Sequence, residues 1–365
     1  MRHLLLAGTA MAAVLLWISA PAAAQAPQSA AKTYKVRRLA DGHPDLQGVY
    51  DLATRTPVER PSGVGATYTP EEARKREAAW AAELKKQDAP LAADRAAPPK
   101  GGKLEGPFAF AAGTVGGYNS GWLDTGASFT IVDGQKRSSI VIDPPDGRVP
   151  PMTAKARERT MAALARPTSD AQESNDPDLE RAPGAYDNPE RRPLGERCLL
   201  GFGSTSGPPA LPDYFYNNLH QIVQTRNTVM ILTEMVHDAR VIRMNAEHLP
   251  KNIRLWMGDS VGHWEGDTLV VDTTNFTDKT RFRGSTENLH VVEHFTRADD
   301  HTLLYRFTVE DPETWAKSWT GEMSWPATDG KIYEYACHEG NYALKDILKG
   351  ARERDRQSAE SKGSK

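Results

Sequence analysis

Glu234, His237, Asp238 and Arg240 lie close together in the sequence. A carboxylate, an imidazole and a guanidinium so placed can perform acid–base work beside a charge clamp. The plainer reading is a polar turn holding a structural Arg–carboxylate pair. A second group follows in Gly258-Asp-Ser-Val-Gly-His-Trp-Glu265. Its first five residues have the Gly-x-Ser-x-Gly spacing of a nucleophile elbow. That elbow needs a strand running into a helix, and here a hairpin strand follows directly, so Ser260 is not assigned as a nucleophile. Asp259 is the better candidate, as a base or ligand contact. The expected catalytic groups are Glu234, His237, Asp259, His263 and Glu265. Arg240, Tyr216, Asn218 and Trp256 are the expected substrate contacts. His290 and His294 flank Glu293. On a helix they could share a metal ion. Val291-Val292 favours a strand, where positions four apart stand about 13 Å from each other. No His-Glu-x-x-His and no close cysteine pair occurs, so no metal and no cofactor is expected.

The elements that must position these groups are mostly strands. In His263-Trp-Glu-Gly-Asp-Thr-Leu-Val-Val-Asp272 the pair Gly266-Asp267 is a two-residue loop with glycine first, as a type II′ turn requires. Glu265 then lies opposite Thr268, and His263 opposite Val270. Side chains alternate along a strand, so His263, Glu265, Thr268, Val270 and Asp272 share one face. Trp264, Leu269 and Val271 share the other, the packed one. A slip of one residue would bury His263 and expose Trp264, so the register is strongly specified. The polar face is either solvent or the wall of a cavity.

Strands are expected at 219–225, 228–236, 239–244, 262–265, 268–273, 289–297, 302–310, 316–325 and 331–337. Their close spacing predicts a mainly β fold, an antiparallel barrel or sandwich with a few peripheral helices and long loops. Thr69-Pro-Glu-Glu72 starts a helix expected to run to about Gln87, with an N-cap hydroxyl, proline at the first helical position and Glu72 three residues after the cap. A hairpin is expected from 128–132 and 138–143 around Asp133-Gly134, and a short helix over 152–165. The organisation read is a signal peptide (1–24), a flexible lead-in (25–45), a strand, helix and linker region (46–115), a hairpin and long-loop region (116–215), the antiparallel core (216–342), and a terminal helix and tail (343–365).

Arg2-His3, an apolar run from Leu4 to Leu16 and Ala22-Ala-Ala24 have the pattern of a cleavable export signal, cut after Ala24. The expected location is therefore the periplasm or outside the cell. No later run is long and apolar enough to span a membrane. A net charge of −3 implies no general attraction to nucleic acid or anionic lipid. In an oxidising compartment the two cysteines, Cys198 and Cys337, are expected to form a disulfide; the rival reading is a catalytic thiol, though neither sits in a nucleophile motif.

Pro44-Asp-Leu-Gln-Gly-Val-Tyr50, Asp143-Pro-Pro-Asp-Gly-Arg148, Asn217-Asn218, Glu234-Met-Val-His-Asp-Ala-Arg240 and the run from Trp256 to Phe276 resemble an uncharacterised family of exported bacterial proteins. The resemblance spans most of the chain after the signal. It implies a shared fold and brings no activity and no site. The opening Gly-x-Tyr strand and the later meander are also similar to lipocalin-like barrels, with Tyr50 where those carry tryptophan. The functional expectation is a ligand cavity at one end of the barrel, covered by loops of the 116–215 region. It serves either a cofactor-independent hydrolase, lyase or isomerase acting on a small organic or carbohydrate-derived molecule, or a non-catalytic small-molecule carrier. The third reading is a structural envelope protein without a cavity.

Overall fold

Ten strands pair into one sheet that curls into a half-barrel. The computed structural model describes residues 34–87, 124–165, 184, 186–204, 206–212 and 216–363. The expected export signal, the expected linker over 91–102 and much of the loop expected from Arg166 lie outside the described residues.

The core is a meander. β6 (Leu219–Gln224), β7 (Thr228–Thr233) and β8 (Ala239–Met244) pair antiparallel, as do β9 (Asp259–Glu265), β10 (Thr268–Thr274), β11 (His290–Asp299), β12 (Thr302–Glu310) and β13 (Trp319–Pro326). β8 and β9 pair in parallel, which a tight hairpin cannot join, and the long connection 245–258 makes that crossover. β1 (Gly48–Asp51) adds to the β6 edge. The sheet curls until Tyr50 meets Ala327, just past β13, in an isolated antiparallel bridge.

The curl follows from the side-chain pattern. Alternate residues of the core strands are buried and mostly apolar, among them Ile231, Ile242, Val271, Phe295, Phe307 and Trp325. One face of each strand must therefore turn inward. Tyr305 packs against Trp325 in a tilted pair with ring centroids 4.7 Å apart. Gly321 leaves the space that the Phe307 ring fills, since a Cβ there would meet the ring at 2.2 Å. The interior is further filled by the segment 206–211, which is buried throughout. Its Ala210 N–H donates to the Tyr305 hydroxyl at 2.9 Å.

The hairpin of β9 and β10 has the expected register, with Glu265 opposite Thr268 and His263 opposite Val270. Gly266 supplies the positive φ its turn needs. Trp264 packs against the core and stacks on His43 at 5.1 Å. α1 (Pro70–Gln87) starts with the expected reciprocal cap. The Glu72 N–H donates to Thr69 Oγ1, and the Thr69 N–H to the Glu72 carboxylate. α2 (Ala154–Ala165) and α3 (Ala343–Gly363) form where helices were read.

Two strand expectations need correction. The Asp133-Gly134 hairpin is short: β3 (Ile131–Val132) pairs with β4 (Gln135–Arg137), and β4 also pairs with β2 (Thr67–Tyr68). The following β5 (Val141–Asp143) leaves that small sheet and joins the large one beside β13. Residues 331–337 form no strand. This stretch is held by Glu234 and by the disulfide at Cys337 instead of by a ladder.

Candidate functional site

The mouth of the half-barrel lies where β7 ends and β8 begins. The chain reverses there through Val236 and His237, both in the left-handed region at φ 57 and 50. The Thr233 N–H closes the turn by donating to the Asp238 carbonyl at 2.8 Å. Glu234 is buried and accepts the Tyr333 N–H at 2.9 Å, pinning the segment before Cys337. His237 is exposed. Asp238 Oδ2 accepts the Gly201 N–H at 2.9 Å, and burial pushes its carboxyl up to about 6. Burial also raises Asp51, with Asp124 and Glu234 adding like charge. Asn218 is buried and its Nδ2 donates to the Asp124 carbonyl, while its Oδ1 has no protein partner.

The Cys198–Cys337 disulfide forms, across a sequence separation of 139. Tyr216, Phe202, Met235 and Tyr335 pack around it. A cavity of about 500 Å³ opens beside this cluster. Glu196, Glu334 and Glu339 give it acidic walls, and Phe202, Leu344 and Ile347 an apolar flank. Glu196 pairs with the buried Arg192 at 2.6 Å.

Inside the half-barrel, Arg240 lies buried in a bidentate pair with Glu293, which also accepts the Tyr305 hydroxyl at 2.8 Å. Burial disfavours the guanidinium, but Glu293 outweighs that and raises its pKa. Arg240 is therefore engaged by the core, not turned to a ligand. His220 stands nearby, fully buried, and burial pushes it down to about 4. It is a neutral imidazole at physiological pH.

The structure brings Glu234, His237, Tyr216 and Asn218 to the mouth, with Arg240 behind them. The remaining expected residues lie elsewhere. His263 and Glu265 are on the outer face of β9, bonded to each other at 3.0 Å. By strand register His263 is roughly 26 Å from Glu234 along the strands. Asp259 faces outward into Arg243, His248 and the Leu249 N–H. Burial would raise Asp259, but those three donors win and hold it low. Ser260 bonds Thr273 inside the sheet at 2.9 Å. Trp256 sits in the crossover and accepts the Thr280 hydroxyl on its carbonyl. The five expected acid–base groups thus do not converge.

Sequence reading missed Asp238 as a perturbed group, and it missed the outer-face chain Asp259–His248–Asp272–His290. His248 bridges the two aspartates with 3.0 Å contacts, and His290 meets Asp272 at 2.9 Å. The Asp272 bond raises His290. His248 lies in an irregular crossover, so no periodicity could have placed it. Among the described residues no group of histidine, cysteine and acidic side chains is arranged to hold a metal ion, and no helix is long and apolar enough to cross a membrane.

Comparison with protein families, curated proteins and solved structures finds no match to this chain.

Proposed function

We propose that this protein is an exported, cofactor-independent binder of a small organic cation, held in the cavity at the half-barrel mouth. The observation that carries the reading is that cavity: about 500 Å³, with the acidic Glu334 and Glu339 and the apolar Leu344 and Ile347 together in its lining. Small-molecule sites have this size and this mixture. The disulfide and the Glu234 bond to Tyr333 pre-order its walls, which lowers the entropic cost of binding. A disulfide of this kind supports an oxidising compartment, in keeping with the export signal read at residues 1–24.

The test is a thermal-shift screen of matched amines, neutral alcohols and carboxylates on the mature chain. A ligand at a hundred times its Kd adds about 2.7 kcal/mol, a shift of several degrees. The amines are expected to stabilise, and Glu334→Gln with Glu339→Gln to abolish the shift. A screen in which no amine stabilises, or in which the double variant responds like the wild type, would end the reading.

Acid–base catalysis on the bound molecule is a second reading. Asp238 favours it, because its carboxyl exchanges a proton near neutrality and it is bonded to Gly201, next to the lining residue Phe202.

A further inference from the structure

The outer face of the sheet carries a row of polar side chains that the mouth does not use. Strand pairing sets His263 opposite Val270, Val270 opposite His294, His294 opposite Arg306, and Arg306 opposite Glu322. Neighbouring strands are about 4.8 Å apart. Five strands thus place four ionisable groups in a line, with one valine between the histidines. The next row holds Thr268 opposite Thr296, their hydroxyls 2.7 Å apart. On the other side Thr308 lies opposite Thr320, hydroxyls 3.0 Å apart, and Thr320 opposite Asp143 of β5. A groove of about 440 Å³ runs over part of this surface, lined by His294, Arg306, Glu322, the four threonines and Asp143, and does not reach His263. The small sheet closes in beside β13, where Thr130 bonds Ser324 and Arg137 bonds Glu322 at 2.9 Å.

The charges in the groove are arranged unequally. Glu322 is nearly buried and committed to Arg137, so its contact with Arg306 is loose, at 3.7 Å. Arg306 is half exposed and presents its guanidinium to the groove. His294 lines the floor. Burial lowers its pKa, against the opposing charges of Glu265 and Glu293 and with the like charges of Arg306 and His263, and its Nδ1 is buried without a protein partner. A neutral imidazole can donate and accept. Asp143 lies toward the far edge, two strands from Arg306.

We propose that this groove is a second binding site, for a small hydroxylated carboxylate such as a hydroxy acid or sugar acid. The ligand carboxylate lies on Arg306, on the His294 side, away from Glu322 and Asp143. Its hydroxyls meet the Thr308–Thr320 pair and Asp143. A guanidinium fork matches a carboxylate, and paired threonines with an acid match vicinal hydroxyls. An unhydroxylated acid forfeits the second set, and a neutral sugar forfeits the first.

Calorimetric titration of the mature chain with gluconate, galacturonate, galactose and hexanoate tests this. The two sugar acids are expected to bind at least about tenfold more tightly than galactose or hexanoate, the worth of one charge-assisted hydrogen bond. Arg306→Gln is expected to lose at least about tenfold, and because Arg306 is half exposed the fold should tolerate it. Thr308→Val with Thr320→Val is expected to remove the preference for hydroxylated acids while leaving Arg306-dependent binding. Failure of either sugar acid to bind, or unchanged affinity in Arg306→Gln, overturns the proposal. So does binding lost in Glu334→Gln with Glu339→Gln but kept in Arg306→Gln, which would place the acid at the mouth. The mouth reading is tested with amines, so each site can fail alone.

Discussion

Removing the negative charge from the buried Arg240–Glu293 pair should be among the most damaging single changes this fold can suffer. Glu293→Gln keeps the side-chain shape but leaves the guanidinium of Arg240 buried without its counter-ion. Both groups are almost fully buried, so water cannot replace the lost partner. Breaking such a pair from one side costs about 3–5 kcal/mol, against a total stability of about 5–15 kcal/mol. Tyr305 adds to the loss, because its hydroxyl donates to Glu293 and accepts the Ala210 N–H from the segment that fills the interior. Replacing both charges, as in Arg240→Met with Glu293→Leu, removes the desolvation cost together with the attraction and should recover most of the loss. Equilibrium urea unfolding of the two single variants and the double variant measures this, provided the slope is unchanged. A Glu293→Gln variant within about 1 kcal/mol of wild type, or a double variant as damaged as the two singles added together, would refute the reasoning. The same variants test the earlier role for Arg240. If it clamped a ligand, the double variant would regain stability and still lose ligand-dependent stabilisation.

Much of the fold was legible in the sequence because the signals are local. Trp264, Leu269 and Val271 alternate with polar neighbours around Gly266-Asp267, and that pattern alone orients β9 and β10. Thr69 and Glu72 announce α1, and two cysteines in a chain with the pattern of an export signal announce one disulfide. What was not legible depends on partners far away in sequence. β5 reads as half of a hairpin with residues 128–132, yet it pairs with β13 because the curl of the large sheet brings that edge to it. Residues 331–337 have strand-like composition, but the chain leaves the β1 edge after Thr328 and among the described residues this stretch joins no ladder. Glu293 reads as an acid on an apolar face and Arg240 as a cation near a turn. Only closure of the half-barrel makes them one pair. The candidate site follows the same rule: alternation placed His263 and Glu265 on a shared face, but it could not say that Glu234 is at the other end of the strands. The row from His263 to Glu322 requires the register of five strands together, and a single strand carries no trace of it.

Two further predictions concern pH. His220 is held neutral by burial, with its pKa lowered to about 4. The stability this gives is present above about pH 6.5 and is lost as pH falls toward 4, up to about 3 kcal/mol. His220→Phe should flatten the stability profile over that range, and an unaltered acid transition would rule the assignment out. Asp238 has the opposite sign. Its folded pKa, pushed up to about 6 by burial, lies above the ordinary carboxylate value. The stability linked to its protonated form is complete below about pH 4 and is lost as pH rises through 6, again up to about 3 kcal/mol, less whatever solvent reaches this incompletely buried group. Asp238→Asn keeps an oxygen to accept the Gly201 N–H. It should therefore leave stability at pH 4 nearly unchanged and raise it at pH 7.5. The two effects run against each other across the same window, so the wild-type profile alone cannot separate them, whereas unfolding of each variant at pH 4 and 7.5 can. If Asp238→Asn were less stable than wild type at pH 7.5, the ionised carboxylate would be supporting the mouth, and burial would not be the force that sets its proton affinity.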